Sequence, residues 1–339
     1  MPAPMSRVPA GPLSVVIVTY NSAAAVRATL PALCPQLRGG DELVVVDNGS
    51  ADGTLALVRQ LAPDAVAIES PGNVGFAAGV NAGAHAASGE LLVILNPDAV
   101  PSAGFVDAIR RPRGDWAAWM GLVRAGAGIN SSGGIIHFTG IAWAGLAAPT
   151  GAREVAFLSG ACLAIPRARF LAAGGFSEPY FMYQEDVDLS LRLRLGGERL
   201  GVEPAAVVDH DYEFAKGPGK WRLLERNRWS TIVRCYPGAL IALLAPALAA
   251  TEIALLVVAA AGGWLPQKLA AIRETARELP RLVRERRAIQ AGRTISAADF
   301  AAALTPDLES PFLGRAGRSR LIRAVLRGYW RLVLAALGR

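Results

Sequence analysis

The sequence of 339 residues contains only three cysteines, at the widely spaced positions Cys34, Cys162 and Cys235. An odd number at such spacing fits neither a disulfide framework nor a cysteine-rich metal site, so it predicts buried thiols in a reducing compartment. Residues 1–12 are rich in Pro and Ala, lack the long apolar region of a signal peptide, and are expected to be flexible. We therefore expect a cytoplasmic protein.

Two common nucleotide-binding motifs are also missing. No G-x-G-x-x-G follows the first β-branched run, Ser14–Thr19, which excludes a Rossmann dinucleotide site. The chain has no G-x-x-x-x-G-K-[ST] loop either, which excludes the phosphate loop of ATP-binding proteins. A nucleotide site in this chain must therefore be built differently.

The net charge of +7 is unevenly distributed. Residues 264–339 contain 15 Lys or Arg against 6 Asp or Glu, a net charge of +9, which leaves −2 for residues 1–263. A basic excess at one end predicts a tail that meets an anionic surface, either nucleic acid or the inner membrane leaflet. The apolar content of 52% is ample for a folded core.

Strand and helix patterns alternate four times in the first hundred residues. Short β-branched or apolar runs predict strands, and Ala- and Leu-rich segments between them predict helices. The predicted strands are Ser14–Thr19, Glu42–Asp47, Val66–Ile68 and Leu91–Leu95. Their short links predict an α/β fold with a doubly wound, mostly parallel sheet flanked by helices.

Polar side chains follow each of these strands. Pro97 cannot continue the ladder after Leu91–Leu95, so Asp98 is placed at the carboxyl end of a central strand, where ligands bind in open α/β sheets. The other polar residues at strand ends are Thr19, Asn21, Asp47, Asn48, Asn73 and Asn96. Because the carboxyl ends of parallel strands share one edge, these residues are predicted to line a single cleft.

This cleft has amides, glycines and carboxylates but little positive charge for binding phosphates. A divalent cation, Mg²⁺ or Mn²⁺, would supply that charge, because it accepts oxygen ligands from a carboxylate and from phosphates together. We predict that Asp98 holds the metal on a nucleoside diphosphate. Asp47 could accept a hydrogen bond from the imide of uracil or thymine, and glycines such as Gly75 would let the backbone approach the ligand.

Four motifs in this order resemble those of family 2 glycosyltransferases, which have the fold called GT-A. They are Val16-Ile-Val-Thr-Tyr-Asn21, Val44-Val-Val-Asp-Asn-Gly-Ser50, Asn73-Val-Gly-Phe-Ala-Ala-Gly-Val-Asn81 and Leu95-Asn-Pro-Asp98. The third and fourth are most similar to the rhamnosyltransferase-like branch of the family. The resemblance covers residues 13–235, and residues 236–339 then form a separate basic, amphipathic helical region.

The resemblance implies a set of site residues. The family's D-x-D motif is Asn96-x-Asp98 here, so the first acid is lost and Asp98 would be the main metal ligand. His210 matches a position where several members use a histidine as a second metal ligand. The residues implied to bind the nucleotide sugar are Thr19, Tyr20, Asn21, Asp47, Asn73, Gly75, Asn81, Asn96 and Asp98.

Two later segments match the family's acceptor side and its catalytic base. Phe157–Pro166 resembles the acceptor segment and implies contacts from Ser159 and Gly160. Gly175–Arg192 resembles the base segment and implies that Asp186, preceded by Glu185, takes the proton of the acceptor hydroxyl in a single inverting displacement. Both acids stand at the start of a predicted helix, whose dipole favours an ionised carboxylate. Asp188 and Arg192 are predicted to form a surface ion pair.

The C-terminal region contains one long apolar segment, Gly238–Ala261, with Glu252 as its single charge. The segment is long enough to span a bilayer, but a single span would place the basic tail outside, against the positive-inside tendency. A helix at the membrane surface avoids this conflict.

Two further segments have arginines at helical spacing beside apolar residues, which is typical of helices that meet anionic lipid. The arginines are Arg273, Arg277, Arg281 and Arg284 in one segment and Arg320, Arg323, Arg327 and Arg331 in the other. We expect an anionic membrane surface and no nucleic acid as the partner. A helical packing or oligomerisation appendage, in a possible homo-oligomer, is the alternative.

Together these features predict an inverting, metal-dependent glycosyltransferase on the inner face of the cell membrane. Its donor would be a dTDP- or UDP-sugar, with rhamnose suggested by the third and fourth motifs, and its acceptor a glycan or a polyprenyl-linked glycan. Two alternatives remain at this point. One is a non-catalytic nucleotide-sugar-binding or scaffold protein, because Asn96 departs from the acidic pattern. The other is a sugar nucleotidyltransferase, although Thr19–Ser22 stands where that class has a Gly-rich Arg/Lys loop.

Overall fold

A computed structural model describes residues 9, 11–210, 219–309 and 319–339. The N-terminal stretch that was predicted to be flexible, residues 1–12, lies mostly outside them. Within the described residues the strands are β1 Leu13–Thr19, β2 Glu42–Asp47, β3 Val66–Glu69, β4 Leu91–Leu95, β5 Val100–Pro101, β6 Ala118–Ala125, β7 Gly128–Ser131, β8 Gly134–Ile136, β9 Ala142–Ala144, β10 Arg153–Glu154, β11 Cys162–Pro166 and β12 Leu200–Asp209.

The helices follow the same chain order, with two 3₁₀ turns at Cys34–Gln36 and Glu178–Tyr180. Over the same described residues they are α1 Ala23–Leu33, α2 Thr54–Leu61, α3 Phe76–Ala86, α4 Phe105–Arg110, α5 Arg167–Ala172, α6 Glu185–Leu195, α7 Gly219–Cys235, α8 Gly238–Ala261, α9 Leu265–Ala291, α10 Ala297–Ala301 and α11 Arg320–Ala336.

The sheet confirms the predicted α/β fold. Its main strand order is β10-β12-β6-β11-β4-β1-β2-β3, and the neighbours β4, β1, β2 and β3 are all parallel. Val16 at the centre of β1 stands opposite Val44 of β2 and Ile94 of β4. β1 and β4 are buried along their length and β2 is buried after Glu42, as expected for the central strands of a parallel sheet, whereas β3 at the edge is partly exposed.

The other half of the sheet is mixed, which the sequence did not predict. β11 lies antiparallel between β4 and β6, whereas β12 runs parallel to β6. A second, two-stranded sheet pairs β8 with β9. The insertion of β11 brings the segment before it, residues 157–161, to the edge where β4 ends, because Cys162 stands opposite Leu95.

The chain divides into two compact units. The first comprises residues 1–134, 144–193 and 198–213 and contains the large sheet. The second comprises residues 135–143, 194–197 and 214–339 and contains α7 to α11. Packing thus groups α7 with the later helices, since it lies along α9, whereas the sequence placed the boundary after residue 235.

Candidate active site

The loops after β1, β2 and β3 are joined by backbone hydrogen bonds at one edge of the sheet. Asn48 N–H donates to the carbonyl of Thr19 over 2.8 Å, and Ser70 N–H donates to the carbonyl of Asp47 over 2.8 Å. Parallel register puts Thr19 directly beside Asp47. The predicted convergence of these strand ends is therefore present in the fold.

Asp47 is held in place by its neighbours. Its Oδ1 accepts hydrogen bonds from Thr19 Oγ1 at 2.8 Å and Ser50 Oγ at 2.6 Å, and its Oδ2 accepts one from Ser50 N–H at 2.9 Å. An ionised carboxylate has about four acceptor positions, so Oδ2 keeps capacity for one more donor. The geometry fits a fixed acceptor for the imide of a base.

Asn21 ties the first loop to the second. It adopts a left-handed conformation with φ of 50°, which asparagine tolerates better than most residues. Its N–H donates to Ser50 Oγ at 2.8 Å, and its Oδ1 accepts from Ala51 N–H at 2.8 Å. Tyr20 beside it is half exposed, so its ring is available at the rim of the cleft.

The turn of Asn73 and Gly75 meets a segment that the sequence did not single out. Asn73 Oδ1 accepts from Gly75 N–H at 3.0 Å, and buried Asn48 Nδ2 donates to the Gly75 carbonyl at 3.0 Å. Gly75 has φ of 89°, and a Cβ there would lie 2.5 Å from the ring of Phe181. Phe181 also accepts a hydrogen bond from Ala77 N–H through its carbonyl.

Asn81 has a different role from the predicted donor contact. Its amide pairs with both backbone atoms of Phe176, donating from Nδ2 at 2.9 Å and accepting at Oδ1 at 2.9 Å. Nδ2 also donates to Glu178 Oε1 at 3.2 Å. The side chain is buried and fixes the segment that leads towards α6.

The two predicted metal ligands, Asp98 and His210, are neighbours. β5 begins two residues after Asp98 and pairs with the end of β12, which places Val100 opposite Asp209. Asp98 Oδ1 consequently lies 3.0 Å from His210 Nε2. Asn96 Nδ2 is 3.4 Å from the same nitrogen. His210 is 2% exposed while Asp98 is 44% exposed, so the carboxylate faces the cleft and the imidazole supports it from within the protein.

Asp186 lies at the first turn of α6 and is fixed by backbone donors. Gly160 N–H donates to its Oδ2 at 3.0 Å, and Val187 N–H donates to its Oδ1 at 2.7 Å. A side chain at 160 would approach Phe76 at 3.3 Å, so the small residue lets the acceptor segment come close to the base. Ser159 next to it accepts from Ala161 N–H through Oγ at 3.3 Å.

A short series of hydrogen bonds connects Asp186 to the pair of Asp98 and His210. Asn96 N–H donates to the carbonyl of Ala161 at 3.0 Å, and Ala161 follows the residue that binds Asp186. The Asn96-x-Asp98 turn and Asp186 are therefore attached to the same segment, residues 157–161. Apart from Asn81, whose amide pairs with the backbone of Phe176, the residues predicted to bind donor and metal and to act as base lie at one edge of the sheet.

Burial changes the acidity of both acids at the start of α6. Burial raises the pKa of Asp186 to about 6, although hydrogen bonds from Gly160 and Val187 oppose the rise. Burial, followed by the charge of Asp186, raises the pKa of Glu185 well above its usual range. Asp186 is thus the acid that ionises first, and it is poised for proton transfer near neutral pH.

The chain enters α6 through an unusual backbone. Phe181, Tyr183 and Gln184 all have positive φ, at 65°, 69° and 65°. Left-handed conformations of non-glycine residues cost of order 1 kcal/mol or more each and cluster at functional sites. No local sequence signal for this turn is evident, because none of the three is a glycine or an asparagine.

Asp188 and Arg192 form the predicted pair, but its surface location was wrong. Asp188 Oδ2 lies 2.8 Å from Arg192 Nε, and the two side chains are only 0% and 9% exposed. Tyr180 OH donates to Asp188 at 3.2 Å, and Arg192 donates to the Gly175 carbonyl at 2.6 Å. The pair anchors the 175–184 segment to α6, which explains how the strained turn is maintained.

Gly75→Ala is expected to weaken donor binding about tenfold or more and to destabilise the protein by over ~2 kcal/mol. Alanine would cost about 1–3 kcal/mol in this backbone conformation, with φ of 89° and ψ of 168°, which is essentially restricted to glycine, and would also clash with Phe181. Gly53→Ala is the matched control, because Gly53 has φ of 82° with nothing near its Cβ position. Equal losses for both variants in thermal unfolding and donor titration would show that the Phe181 contact is unimportant.

Comparisons with known proteins identify the family of the chain. Residues 14–120 match the family model of Glycosyl transferase family 2. The N-acetylglucosaminyl-diphospho-decaprenol L-rhamnosyltransferase of Mycobacterium tuberculosis is 30% identical over 255 residues, 65% of this chain and 83% of the relative. Rhamnosyltransferase WbbL of Escherichia coli K12 is 43% identical over 80 residues, 22% of this chain and 30% of that protein.

Solved structures share the fold. GalNAc-T7 with UDP, GalNAc and Mn²⁺ has a TM-score of 0.58 at 15% identity, covering 69% of this chain and 50% of its own. Mannosyltransferase PcManGT from Pyrobaculum calidifontis, with GDP-Man and Mn²⁺, has a TM-score of 0.50 at 20% identity, covering 96% and 86%. On the extent of the match to the mycobacterial relative, the chain belongs to glycosyl transferase family 2 and is a rhamnosyltransferase-like glycosyltransferase.

Proposed function

We propose that this glycosyltransferase is an inverting, metal-dependent enzyme that uses Asp186 as its general base. The observation behind the proposal is the placement of Asp186. It is a buried carboxylate with a raised pKa, held by Gly160 N–H on the acceptor-side segment. That segment is hydrogen-bonded in turn to the turn that contains Asp98.

The residues present fit a divalent cation bound together with the donor. Among the described residues no cluster of three or more His, Cys, Asp or Glu side chains could hold a metal by itself. Asp98 Oδ1 and His210 Nε2 are 3.0 Å apart and can serve as two ligands, and diphosphate oxygens and water would supply the others. When bound, Mg²⁺ or Mn²⁺ stabilises the negative charge that develops on the departing diphosphate.

The chain's own residues perform the remaining tasks. Asp47 fixes the base of the nucleotide, and the Asn73–Gly75 turn lets backbone approach the donor. Ser159 and Gly160 border the place for the acceptor beside Asp186. Asp186 takes the proton of the acceptor hydroxyl as that oxygen attacks the anomeric carbon from the side opposite the diphosphate, which inverts the configuration.

The donor and acceptor are proposed by analogy of the site with the relatives. The mycobacterial relative is named for rhamnosyl transfer to N-acetylglucosaminyl-diphospho-decaprenol. We therefore propose a dTDP- or UDP-sugar, first of all dTDP-rhamnose, as the donor and a polyprenyl-linked glycan as the acceptor. Cytosolic nucleotide sugars and the three free thiols of Cys34, Cys162 and Cys235 support a location on the cytoplasmic membrane face.

A screen of nucleotide sugars by thermal unfolding would test the donor assignment. A ligand at a hundred times its Kd stabilises the folded state by about 2.7 kcal/mol, which is a shift of several degrees. We expect dTDP-rhamnose with Mn²⁺ or Mg²⁺ to raise the Tm, and EDTA to remove most of the shift. A screen in which no nucleoside diphosphate sugar raises the Tm, with or without metal, would contradict the proposed function.

The transfer rate is expected to fall on the acid side of pH 6. Asp186 must be ionised to accept a proton, and burial raises its pKa to about 6. The ionised fraction is therefore nearly full at about pH 7.5 and falls about tenfold per unit well below pH 6. Initial rates at subsaturating donor and acceptor, which report kcat/KM and hence the free enzyme, would show this limb, and a value that stays constant down to about pH 4.5 would argue against a carboxylate base of raised pKa.

A further inference from the structure

The helix α8 has one face that the second unit leaves uncovered. By length and composition it could cross a membrane, and only 11% of the residues in its most apolar 18-residue stretch are buried within the protein. Its outward residues recur every three or four positions along all 24 residues. They include Ala242, Ala245, Pro246, Ala249, Ala250, Ile253, Val257 and Ala260. Ile253 is 66% exposed and Val257 is 65% exposed, which is unusual for residues of this kind.

Glu252, the single charged residue of α8, is directed towards α7 and α9. Glu252 forms ion pairs with Arg228 of α7 and with Lys268 of α9, the latter at 2.7 Å. Glu225 of α7 completes the group by pairing with both cations. Two anions thus balance two cations, and Arg228 and Lys268 are 1% and 0% exposed. Arg228 also donates to the Thr139 carbonyl at 3.0 Å.

This ion-pair group determines how α8 can meet a membrane. If α8 crossed a bilayer as a single span, Glu252 would leave its partners and enter the apolar region, and buried Arg228 and Lys268 would lose a counter-charge. Breaking a buried pair by removing one partner is strongly unfavourable. The ion pairs therefore favour an α8 that remains attached to α7 and α9 with its uncharged face outward.

The last helix, α11, is built in a similar way. Trp330 stacks on Phe138, and Tyr329 OH donates to the carbonyl of Leu243 in α8, so this face is turned inward. Leu321 and Leu332 remain 75% and 71% exposed, next to exposed arginines on the same helix. The predicted apolar face of α11 is thus partly used for packing, and a second apolar row is left outside.

From these features we propose that the outward face of α8, with the exposed leucines of α11, docks in the plane of an anionic lipid bilayer. The charge of the region selects this occupant over a second copy of the chain. Residues 264–339 have a net charge of +9, so two copies facing each other would repel, whereas anionic headgroups attract arginines beside the apolar face. The inference rests on the proposed function only in that a lipid-linked acceptor gives the docking a purpose.

Vesicle co-sedimentation of the full chain tests the docking directly. With vesicles of phosphatidylcholine and phosphatidylglycerol we expect binding that weakens in pure phosphatidylcholine. Ile253→Gln with Val257→Gln should lower the partition coefficient about tenfold or more, since two exposed aliphatic side chains lose their transfer into lipid. Val66→Gln with Leu146→Gln, at exposed positions of the first unit, is the matched control and should bind as wild type.

Spin labels distinguish a helix in the plane from one that spans. Ala242, Ala249 and Ala260 share one face of α8 and are all exposed, so labels there, in a Cys34→Ser background, should not disturb the fold. An in-plane helix places all three at one depth, whereas a spanning helix separates the first and last by about 27 Å. Unequal depths of that order would overturn the proposal.

Two further results would also overturn it. One is equal vesicle binding by the Ile253→Gln, Val257→Gln variant and wild type. The other is wild-type dimerisation in ultracentrifugation that this variant abolishes, without vesicle binding by either, since that would assign the face to a second copy. Donor binding by the variant, followed by thermal shift with dTDP-rhamnose and Mn²⁺, should equal that of wild type. A failure of docking is therefore distinguishable from a failure of the proposed function.

Discussion

Asp186→Asn is expected to lower the rate of sugar transfer about a thousandfold while changing donor affinity less than about threefold. Asparagine keeps the size of the side chain and can still accept the hydrogen bond from Gly160 N–H. It cannot take a proton from the acceptor hydroxyl, and general base catalysis contributes roughly 10²–10⁴ in rate. In the proposed site the donor is bound mainly by other residues, so its binding should change little.

The measurement pairs a transfer assay with calorimetric titration of the nucleoside diphosphate. Asp64→Asn, at an exposed carboxylate between α2 and β3, is the control for a general loss of negative charge and should behave as wild type. A turnover of Asp186→Asn within about tenfold of wild type would remove Asp186 from the role of base.

Asp98→Ala is expected to reduce metal-dependent affinity for the donor diphosphate about a hundredfold, and His210→Ala about tenfold. In the proposed site the pair supplies two ligands from the protein, and Asp98 is the exposed member that faces the cleft. Losing Asp98 removes a carboxylate and its negative charge from the cation, whereas losing His210 removes one ligand that carries no negative charge.

Titration of the nucleoside diphosphate with Mn²⁺ and again with EDTA isolates this effect. In EDTA the variants and wild type should bind the nucleoside diphosphate equally weakly, because no cation then joins it to Asp98 and His210. Asp209→Asn tests whether any carboxylate nearby matters, since Asp209 is the exposed last residue of β12 and directly precedes His210 in the chain. If Asp98→Ala binds as tightly as wild type in Mn²⁺, the metal site lies elsewhere.

The sequence was most informative where local pattern and position coincide. Uninterrupted apolar runs predicted β1, β2 and β4, and polar residues at their ends predicted which edge holds the site. Pro97 was a reliable boundary because it cannot donate to the sheet. Asp98 and His210 are 112 residues apart, beyond the reach of any local pattern, so their pairing came from family resemblance and from the structure's pairing of β5 with β12.

Long-range choices were not predictable in this way. Nothing in Cys162–Pro166 shows that β11 would run antiparallel between β4 and β6, since a short apolar run has no direction. Asn81 resembled a ligand residue, but its amide is satisfied by the backbone of Phe176, 95 residues away. Asp188 and Arg192 had the spacing of a surface pair, and only tertiary packing buries them.

The strained turn before α6 is the most consequential feature that the sequence concealed. Phe181, Tyr183 and Gln184 have positive φ, although none of them is a glycine, the residue that usually adopts such backbones. The turn that they form places Asp186 within hydrogen-bond distance of Gly160. Such a conformation persists only where surrounding contacts over-determine it. Here those contacts are the close approach of Phe181 to Gly75 and the buried pair of Asp188 and Arg192.

Mass spectrometry of the lipid product tests the role of Asp186 and the proposed reaction together. The full chain would be incubated with dTDP-rhamnose, Mn²⁺ and a polyprenyl-diphospho-N-acetylglucosamine in anionic vesicles, beside the Asp186→Asn variant. We expect a lipid heavier by one deoxyhexose with wild type and none with the variant. Equal product from both proteins would contradict the assignment of Asp186, and no product with any dTDP- or UDP-sugar would contradict the proposed reaction.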